Sequence, residues 1–294
     1  MSNAEIAIPQ TFDVPGKHAT RPLTTVIRPR RGWQAVDLDE LWKYRELLFF
    51  LTWRDVKVRY KQTALGAAWA VLQPLMTMIV FTIFFGRLAG VSSGSVPYPL
   101  FAFAGLLPWT FFSNAISGAG MSVVGSERLI TKIYFPRLII PVSAVGAGLV
   151  DFLIACGMLG VLMACYRVAP SPAVVLAPLF VGGLFIAAVG MGSLLAALNV
   201  AYRDFRYVIP FMVQLWMFCT PTIYMQSNRV AGSLWRYFLP LNPAYGLISN
   251  FRACVLGGEL DLYSLTVSMT VAVIFFVAGT LYFRRVERGF ADII

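Results

Sequence analysis

The chain has 294 residues, of which 58% are hydrophobic and only 13% are charged. A soluble domain usually carries about 25% charged residues, so this composition excludes an ordinary soluble protein and predicts that lipid surrounds much of the chain. The net charge of +10 needs no nucleic-acid partner, because Lys and Arg collect in the cytoplasmic loops of membrane proteins. The four cysteines form no CxxC pair, so we expect neither a zinc site nor a disulfide framework.

Two N-terminal segments precede the apolar part of the chain. Residues 1–36 are rich in Pro, Thr and Arg, which predicts a flexible cytoplasmic segment. Residues 37–61 predict an amphipathic interface helix that lies in the plane of the lipid headgroups. At about 100° per residue, one side of this helix carries Trp42, Phe49, Trp53, Val56 and Tyr60. A basic band beside that side carries Lys43, Arg54, Lys57 and Lys61.

The rest of the chain predicts an all-α, polytopic membrane protein with six transmembrane helices in residues 62–284. Long stretches with few or no charges place these helices at about 62–86, 99–124, 138–166, 173–198, 207–224 and 262–283. Pro and Gly interrupt residues 226–261, so we expect short re-entrant helices before the last span. Residues 285–294 would form a cytoplasmic tail.

The distribution of Lys and Arg predicts the orientation of the six spans. Of the 24 Lys and Arg residues, 19 fall on the side that holds both termini, and five fall on the other side. The positive-inside rule therefore places both termini in the cytoplasm.

The sequence lacks two motifs that would indicate chemistry within this chain. It contains no GxxxxGK[ST] phosphate loop and no HExxH zinc motif, so we expect no cofactor, no metal and no catalytic residue. Asp151 is the sole carboxylate within a predicted span, whereas proton-coupled transporters usually carry several ionisable groups. We therefore expect a separate subunit to supply the energy for transport. Asp151 would then pair with an Arg or a backbone donor of a neighbouring helix.

A charged interruption between the second and third predicted spans is the best candidate for contact with such a subunit. Residues 127–137 are long enough for about two helical turns before Pro136, so they predict either a coupling helix or an ordinary solvated loop. The candidate coupling residues are Glu127, Arg128, Lys132, Tyr134, Phe135 and Arg137.

Several runs of the sequence resemble a known family. The longest are WRDVKVRYKQ (53–62), LGAAWAVLQP (65–74), LITKIYFPR (129–137) and LNVAYRDFRY (198–207). Shorter ones are GLLPW (105–109), FFSN (111–114), LNP (241–243) and FADII (290–294). Together they resemble the permease subunits of bacterial type-2 ABC exporters for polysaccharides, in particular the O-antigen and teichoic-acid exporters.

This resemblance implies a homodimer of six-span subunits bound to two copies of a separate ABC ATPase. It implies an interface helix matching residues 40–61, a coupling helix matching 126–137 and re-entrant helices matching about 230–258. The implied substrate is a polysaccharide carried on a polyprenyl diphosphate lipid, which the transporter moves across the bacterial inner membrane.

Basic side chains of the interface helix are candidates for binding the diphosphate headgroup. Arg54, Lys57, Arg59 and Lys61 would stand at the headgroup level, and an Arg side chain binds phosphate through a planar fork of donors. The alternatives are contact with ordinary anionic lipids, or docking on the ATPase.

Aromatic and small polar side chains are candidates for lining a path for the glycan, because sugar rings stack on aromatic faces. The candidates are Tyr98, Trp109, Phe111, Phe112, Asn114, Trp216, Phe218 and Tyr224. An interfacial aromatic belt, common to membrane proteins, is the alternative for most of them.

Other functions stay open on the sequence alone. A type-2 ABC permease for capsule glycan, teichoic acid or a hydrophobic drug is the nearest alternative. A membrane glycosyltransferase would need a pair of carboxylates at the membrane face, and the sequence offers only the single Glu127 and Asp204, each beside an Arg. A passive channel would leave the charged interruptions unexplained.

Overall fold

The computed structural model describes residues 42–61, 66, 68–91, 94, 96–132, 135–220 and 235–290. Every regular element in these residues is a helix, and they contain no strand, which confirms the all-α prediction. In chain order the α-helices are α1 (Arg45–Lys61), α2 (Ala68–Phe81), α3 (Tyr98–Ser122), α4 (Glu127–Lys132), α5 (Ile139–Cys165), α6 (Ala177–Ala201), α7 (Phe205–Phe218), α8 (Trp235–Phe238), α9 (Pro243–Leu256) and α10 (Leu262–Val286).

Five helices in the described residues are long and apolar enough to cross a membrane. They are Ala68–Leu88, Tyr98–Ser122, Ile139–Cys165, Pro172–Ala201 and Leu262–Val286. In the first of these a π-helical turn extends α2, and in the fourth a 3-10 turn precedes α6. These helices match the first four and the last of the predicted spans, and the chain is a polytopic membrane protein.

The fifth predicted span, at 207–224, corresponds to α7 in the structure. Helix α7 has 14 residues and ends at Phe218. A helix of this length is about 21 Å long, shorter than the ~30 Å hydrocarbon core of a bilayer. Residues 221–234 lie outside the described part of the chain, so a sixth crossing stays a prediction. Residues 1–41, which include the predicted N-terminal segment, and residues 291–294 lie outside it as well.

Helix α3 forms the centre of the bundle. All its residues from Leu100 to Trp109 are buried, and it packs against α2, α5, α6 and α9. Pro99 stands in its first turn, where the missing N–H removes no hydrogen bond from the helix. A helix enclosed on all sides needs apolar side chains all round, which accounts for its uniformly apolar middle.

Helices α6 and α10 meet at two glycines. A Cβ atom on Gly279 would overlap the carbonyl of Gly190, and a Cβ atom on Gly190 would overlap the backbone of Phe276. Because neither glycine has a side chain, the two backbones touch, as they do at small residues in membrane helix pairs. This contact fixes the last span against the fourth predicted span.

The short helices before the last span are fastened by buried polar groups. The Asn242 side chain caps α9 by accepting a hydrogen bond from the backbone two residues on, and Gly257 ends the helix with a φ of +80°. Asn250 donates to the carbonyl of Asp261 at 3.1 Å and accepts from the N–H of Asp261 at 2.9 Å. These bonds attach α9 to the start of α10.

One buried cation also holds α9 in place. The guanidinium carbon of Arg252 lies 3.8 Å from the centre of the Phe101 ring on α3. Sequence counting assigns Arg252 to the outer loops, but the residue is only 6% exposed. Leaving it out of the loop count makes the predicted charge asymmetry larger, so the predicted orientation is unaffected.

A second apolar cluster lies apart from the main core, at one end of the bundle. It joins α1, α4, the start of α5 and the ends of α6 and α10. This second cluster consists of Leu51, Val123, Ile130, Phe135, Leu138, Ile139, Ile140, Ala196, Ala197, Val200, Phe283 and Phe290. The rings of Phe283 and Phe290 meet edge to face, with centroids 5.3 Å apart.

Candidate functional site

A cavity of about 460 Å³ opens between the end of α1 and the helices α2, α3 and α5. Aromatic rings of Trp69, Phe111 and Phe152 stand in its wall beside the amide side chains of Gln73 and Asn114. A wall of flat apolar faces with a few hydrogen-bonding groups can bind a ligand that has both apolar faces and polar substituents.

A carboxylate stands in the same wall, twelve residues after the start of α5 at Ile139. Asp151 forms an ion pair with Arg59 and accepts a hydrogen bond from the hydroxyl of Tyr60. The Asp151 side chain is 17% exposed and that of Arg59 is 40% exposed. Pairing removes much of the cost of placing a charge beside a membrane span. The structure thus gives Asp151 the Arg partner that the sequence leads us to expect.

Tyr60 adds a second donor from α1 to this carboxylate. Burial, chiefly, and the hydrogen bond to Asp151 raise the pKa of Tyr60 well above its usual value, because both disfavour the phenolate. Tyr60 therefore keeps its proton throughout the physiological pH range. The C-terminal end of α1 is joined to the side of α5 by two charged or polar contacts.

The basic side chains predicted to meet a lipid headgroup occupy different surroundings. Among the described residues of this set, Arg59 alone lines the cavity. Arg54 is paired with the neighbouring carboxylate of Asp55 at 2.8 Å. Lys57 and Lys61 are exposed. The structure brings one of the four cations to the cavity, and headgroup binding by all four stays a prediction.

Two residues predicted to line a substrate path reach the cavity. Phe111 and Asn114 lie one turn apart on α3, and both contribute to its wall. Asn114 is exposed, whereas Phe111 is nearly buried against Phe152, with ring centroids 5.6 Å apart. Asn114 can therefore offer hydrogen bonds to a ligand, and Phe111 offers part of one ring face.

Trp109, Phe112 and Trp216 lie together among packed helices. Phe112 is fully buried and meets Trp216 edge to face, with centroids 5.3 Å apart. The indole N–H of Trp216 donates to the side-chain oxygen of Asn242 at 2.9 Å. These aromatic rings join α3, α7 and the cap of α9 within one subunit, and their role in lining a path stays a prediction.

Two further path candidates, Tyr98 and Phe218, do not line the cavity. Tyr98 is buried at the start of α3, and Phe218 is 56% exposed at the end of α7. Tyr224 lies outside the described residues.

The predicted coupling segment has a charged exposed side and an apolar buried side. Glu127, Arg128 and Lys132 on α4 are exposed, whereas Phe135 is buried in the second cluster. Tyr134 falls outside the part of the chain that the structure describes.

Arg137 ties the end of this segment to the end of the last span. Its guanidinium donates a hydrogen bond to the backbone carbonyl of Glu287, just after α10. Phe290 follows three residues later and is fully buried in the second cluster, which also contains Phe135. The predicted coupling segment and the end of α10 therefore share a polar contact, and both contribute residues to the second cluster.

Comparison with known proteins places this arrangement in a family. Residues 46–256 match the profile of the ABC-2 type transporter family. The chain belongs to this family. The match extends from α1 to the end of α9, and it therefore covers the cavity, the ion pair and the coupling segment.

Three similar proteins carry names that describe export or transport. The chain is 32% identical over 257 residues to the O-antigen export system permease protein RfbA of Myxococcus xanthus, covering 87% of this chain and 98% of that protein. It is 27% identical over 250 residues to the O-antigen export system permease protein RfbA of Klebsiella pneumoniae, covering 85% and 95%. It is 22% identical over 241 residues to the polysialic acid transport protein KpsM of Escherichia coli, covering 80% and 91%.

The family confirms the resemblance found in the sequence motifs, to type-2 ABC exporter permeases. A member of this family is the membrane subunit of a transporter and not an enzyme. The five apolar helices agree with a multi-pass membrane protein of this kind.

Sequence patterns do not single out several residues of the cavity. Trp69 and Gln73 lie one turn apart on α2 and face the cavity, although the sequence places them simply within a span. The amide of Gln73 in an apolar run is a usable signal, because a polar side chain in a membrane helix usually faces the protein interior. The contact of Tyr60 with Asp151 joins residues 91 positions apart, which helical periodicity cannot reveal.

Proposed function

We propose that this chain is the permease subunit of an ATP-driven exporter of an O-antigen-like polysaccharide. The polysaccharide would be carried on a polyprenyl diphosphate lipid and would cross the bacterial inner membrane. The substrate class is supported by relatives named for O-antigen export, since the likeness spans 98% of the Myxococcus xanthus protein. A likeness of this extent includes every helix that builds the cavity.

The observation that carries this proposal is the cavity at the end of α1. The ring of Trp69, which is 50% exposed, can stack on the C–H face of a sugar, while Gln73 and Asn114 can bond sugar hydroxyls. The cavity is open in the single subunit, so a second copy placed against the same face would close it into a conduit. A homodimer with the pathway between its two copies therefore agrees with the shape of one subunit.

The basic side of α1 supports arrival of the substrate from the cytoplasmic side. Lys57 and Lys61 are exposed, and Arg59 stands at the cavity itself. A diphosphate headgroup carries at least two negative charges, which these cations attract at the membrane surface. In this arrangement α1 lies at the cytoplasmic headgroup level, and both termini are cytoplasmic, as the excess of Lys and Arg on that side supports.

A separate ABC ATPase, in two copies, would supply the energy. The exposed charges of Glu127, Arg128 and Lys132 would contact it, and Phe135 and Arg137 would pass its movement to the spans. The proposed organisation is an interface helix at 37–61, a transmembrane domain at 62–284 and a cytoplasmic tail at 285–294.

A capsule polysaccharide is the second candidate for the substrate. The likeness to the polysialic acid transport protein of Escherichia coli, at 22% identity, favours it less than the likeness to the export permeases at 32% and 27%.

Copurification followed by an export assay tests the proposal. The chain is expressed in its own organism and purified through a tag on the permease. We expect the ATPase to copurify, and we expect deletion of the permease to trap lipid-linked glycan on the cytoplasmic side. A permease that purifies without any ATPase would contradict the proposal that ATP hydrolysis drives export. Normal glycan display in the deletion strain would contradict the assigned substrate.

A further inference from the structure

A large apolar groove runs along the outside of the bundle, away from the cavity described above. It lies between α5 and α6 and has a volume of about 1180 Å³. Leu149 stands at one end and Arg167, just beyond the end of α5, at the other. These two residues are 18 positions apart, so the groove is about 27 Å long, which exceeds the depth of one leaflet of a bilayer with a ~30 Å hydrocarbon core.

The walls of the groove face outward, and its inner side is closed. Leu153 is 61% exposed on α5, and Gly160 and Gly182 open the groove because they bring no side chain into it. Phe251 and Val255 of α9, both buried, line its inner side. Since α5 and α6 are both long enough to span a membrane, lipid chains are the solvent that this groove meets.

Arg167 is the single charged side chain among the described residues that line the groove. It is exposed and forms no ion pair in the described part of the chain. Its backbone lies in the left-handed region, with a φ of +56°, and closes α5 with hydrogen bonds from Arg167 to Ala164 and from Val168 to Met163. Glycine is the usual residue at this position of a helix end, so the chain places a cation where backbone conformation alone would favour glycine.

We infer that this groove is a binding site for an anionic phospholipid of the membrane. The acyl chains lie along the apolar walls between α5 and α6, and the headgroup phosphate contacts the guanidinium of Arg167. On the proposed orientation, Arg167 stands at the outer surface, so the lipid belongs to the outer leaflet. This site is separate from the proposed glycan pathway and does not depend on which substrate is exported.

The distribution of charge favours a lipid over a helix of another protein. The lining is apolar along α5 and α6, and its one cation, Arg167, stands at the end of the groove. A phospholipid has this arrangement, with apolar chains below a charged headgroup. Its chains follow the groove to the depth of one leaflet, and the chains of the opposite leaflet meet the remainder.

Photo-crosslinking of lipid to the assembled transporter tests this inference. The permease–ATPase complex is reconstituted in phosphatidylcholine vesicles that contain phosphatidylglycerol with a diazirine on one acyl chain, and crosslinked peptides are quantified by mass spectrometry. We expect labelling to concentrate on the peptides of α5 and α6 that line the groove. Unlabelled phosphatidylglycerol should compete for this labelling, and phosphatidylcholine should compete much less.

Three glycines provide matched variants, because a Cβ atom at each of them meets nothing within 4 Å. Gly160→Leu and Gly182→Leu fill the groove from opposite walls and should reduce its labelling several-fold. Gly157→Leu adds the same bulk to α5 outside the groove and should leave the labelling unchanged. Arg167→Gln should lower the preference for phosphatidylglycerol over phosphatidylcholine about five-fold, the usual effect of one cation at a membrane surface.

Three results would overturn the inference. One is equal competition by phosphatidylcholine, which would make the lipid an ordinary neighbour of the bundle. Another is equal labelling of the Gly157→Leu and Gly160→Leu proteins when both retain ATP hydrolysis. The third is an unchanged preference for phosphatidylglycerol in the Arg167→Gln protein, which would remove the proposed contact with the headgroup. Copurification of the ATPase and glycan export are separate measurements, so failure of the groove and failure of the proposed function can be told apart.

Discussion

Arg59 at the end of α1 forms an ion pair with Asp151 on the side of α5, and the two residues are 92 positions apart in the chain. The adjacent hydroxyl of Tyr60 donates to the same carboxylate. One span thus holds the end of α1 through a single acidic side chain, at the wall of the cavity.

Replacing this carboxylate should loosen α1. We expect Asp151→Asn to lower the stability of the complex by about 1–2 kcal/mol, because Arg59 loses its counter-charge in a partly shielded site. Thermal unfolding in detergent measures the change. Asp55→Asn, which removes the partner of Arg54 beside it on the surface, is the matched control and should have a much smaller effect. An equal loss in both variants would show that the Asp151 pair has no special role.

The buried ring of the coupling segment should matter for transport more than for ATP hydrolysis. We expect Phe135→Leu to reduce export several-fold while the purified complex still hydrolyses ATP, because the smaller side chain loosens the segment after α4 from the second cluster. Thr131→Ala changes an exposed side chain of α4 to which no contact with the ATPase is assigned, leaves the cluster intact and should leave export unchanged. Export and ATPase activity that fall in parallel in Phe135→Leu would argue against a coupling role.

A wall residue of the cavity offers a direct test of the glycan path. Asn114 is exposed and lines the cavity, so Asn114→Leu should reduce export several-fold without destabilising the fold. Gly118→Leu introduces similar bulk one turn further along α3, into open space outside the cavity wall. Glycan display on the cell surface is the readout. If the two variants export equally well, the cavity is not part of the path.

Adding a side-chain atom where α6 and α10 touch should destabilise the protein. We expect Gly279→Ala to cost about 1–3 kcal/mol of stability, because the new Cβ atom would overlap the backbone of Gly190. Gly157→Ala, where a Cβ atom meets nothing within 4 Å, is the control in another membrane helix. Detergent unfolding followed by fluorescence measures both, and a stable Gly279→Ala protein would mean that the two helices can separate without loss.

Sequence patterns predict five membrane helices well because exclusion of charge from hydrocarbon is a local property of each stretch. The fifth predicted span stays a prediction, because α7 ends at Phe218 and residues 221–234 lie outside the described part of the chain. Proline and glycine at 226–261 correctly indicate short helices before α10, although not the hydrogen bonds of Asn250 that hold them.

The candidate site is harder to predict than the spans, because its members come from distant parts of the chain. Phe111 and Phe112 are adjacent, yet one lines the cavity and the other is fully buried against Trp216. Neighbouring residues of a helix point about 100° apart, and the sequence does not say in which direction the cavity lies. The Arg59–Asp151 pair likewise depends on how α1 crosses α5, which no local pattern encodes.

The burial of Phe290 has a practical consequence for anyone who handles this protein. Its ring packs against Phe283 and has no exposed surface, only four positions before the last residue of the sequence. Trimming the chain ahead of Phe290 would leave a cavity in the second cluster, beside Phe283. A tag joined through a flexible linker after Ile294 keeps that ring, and a loss of activity in a trimmed protein would reflect the missing ring and not the tag.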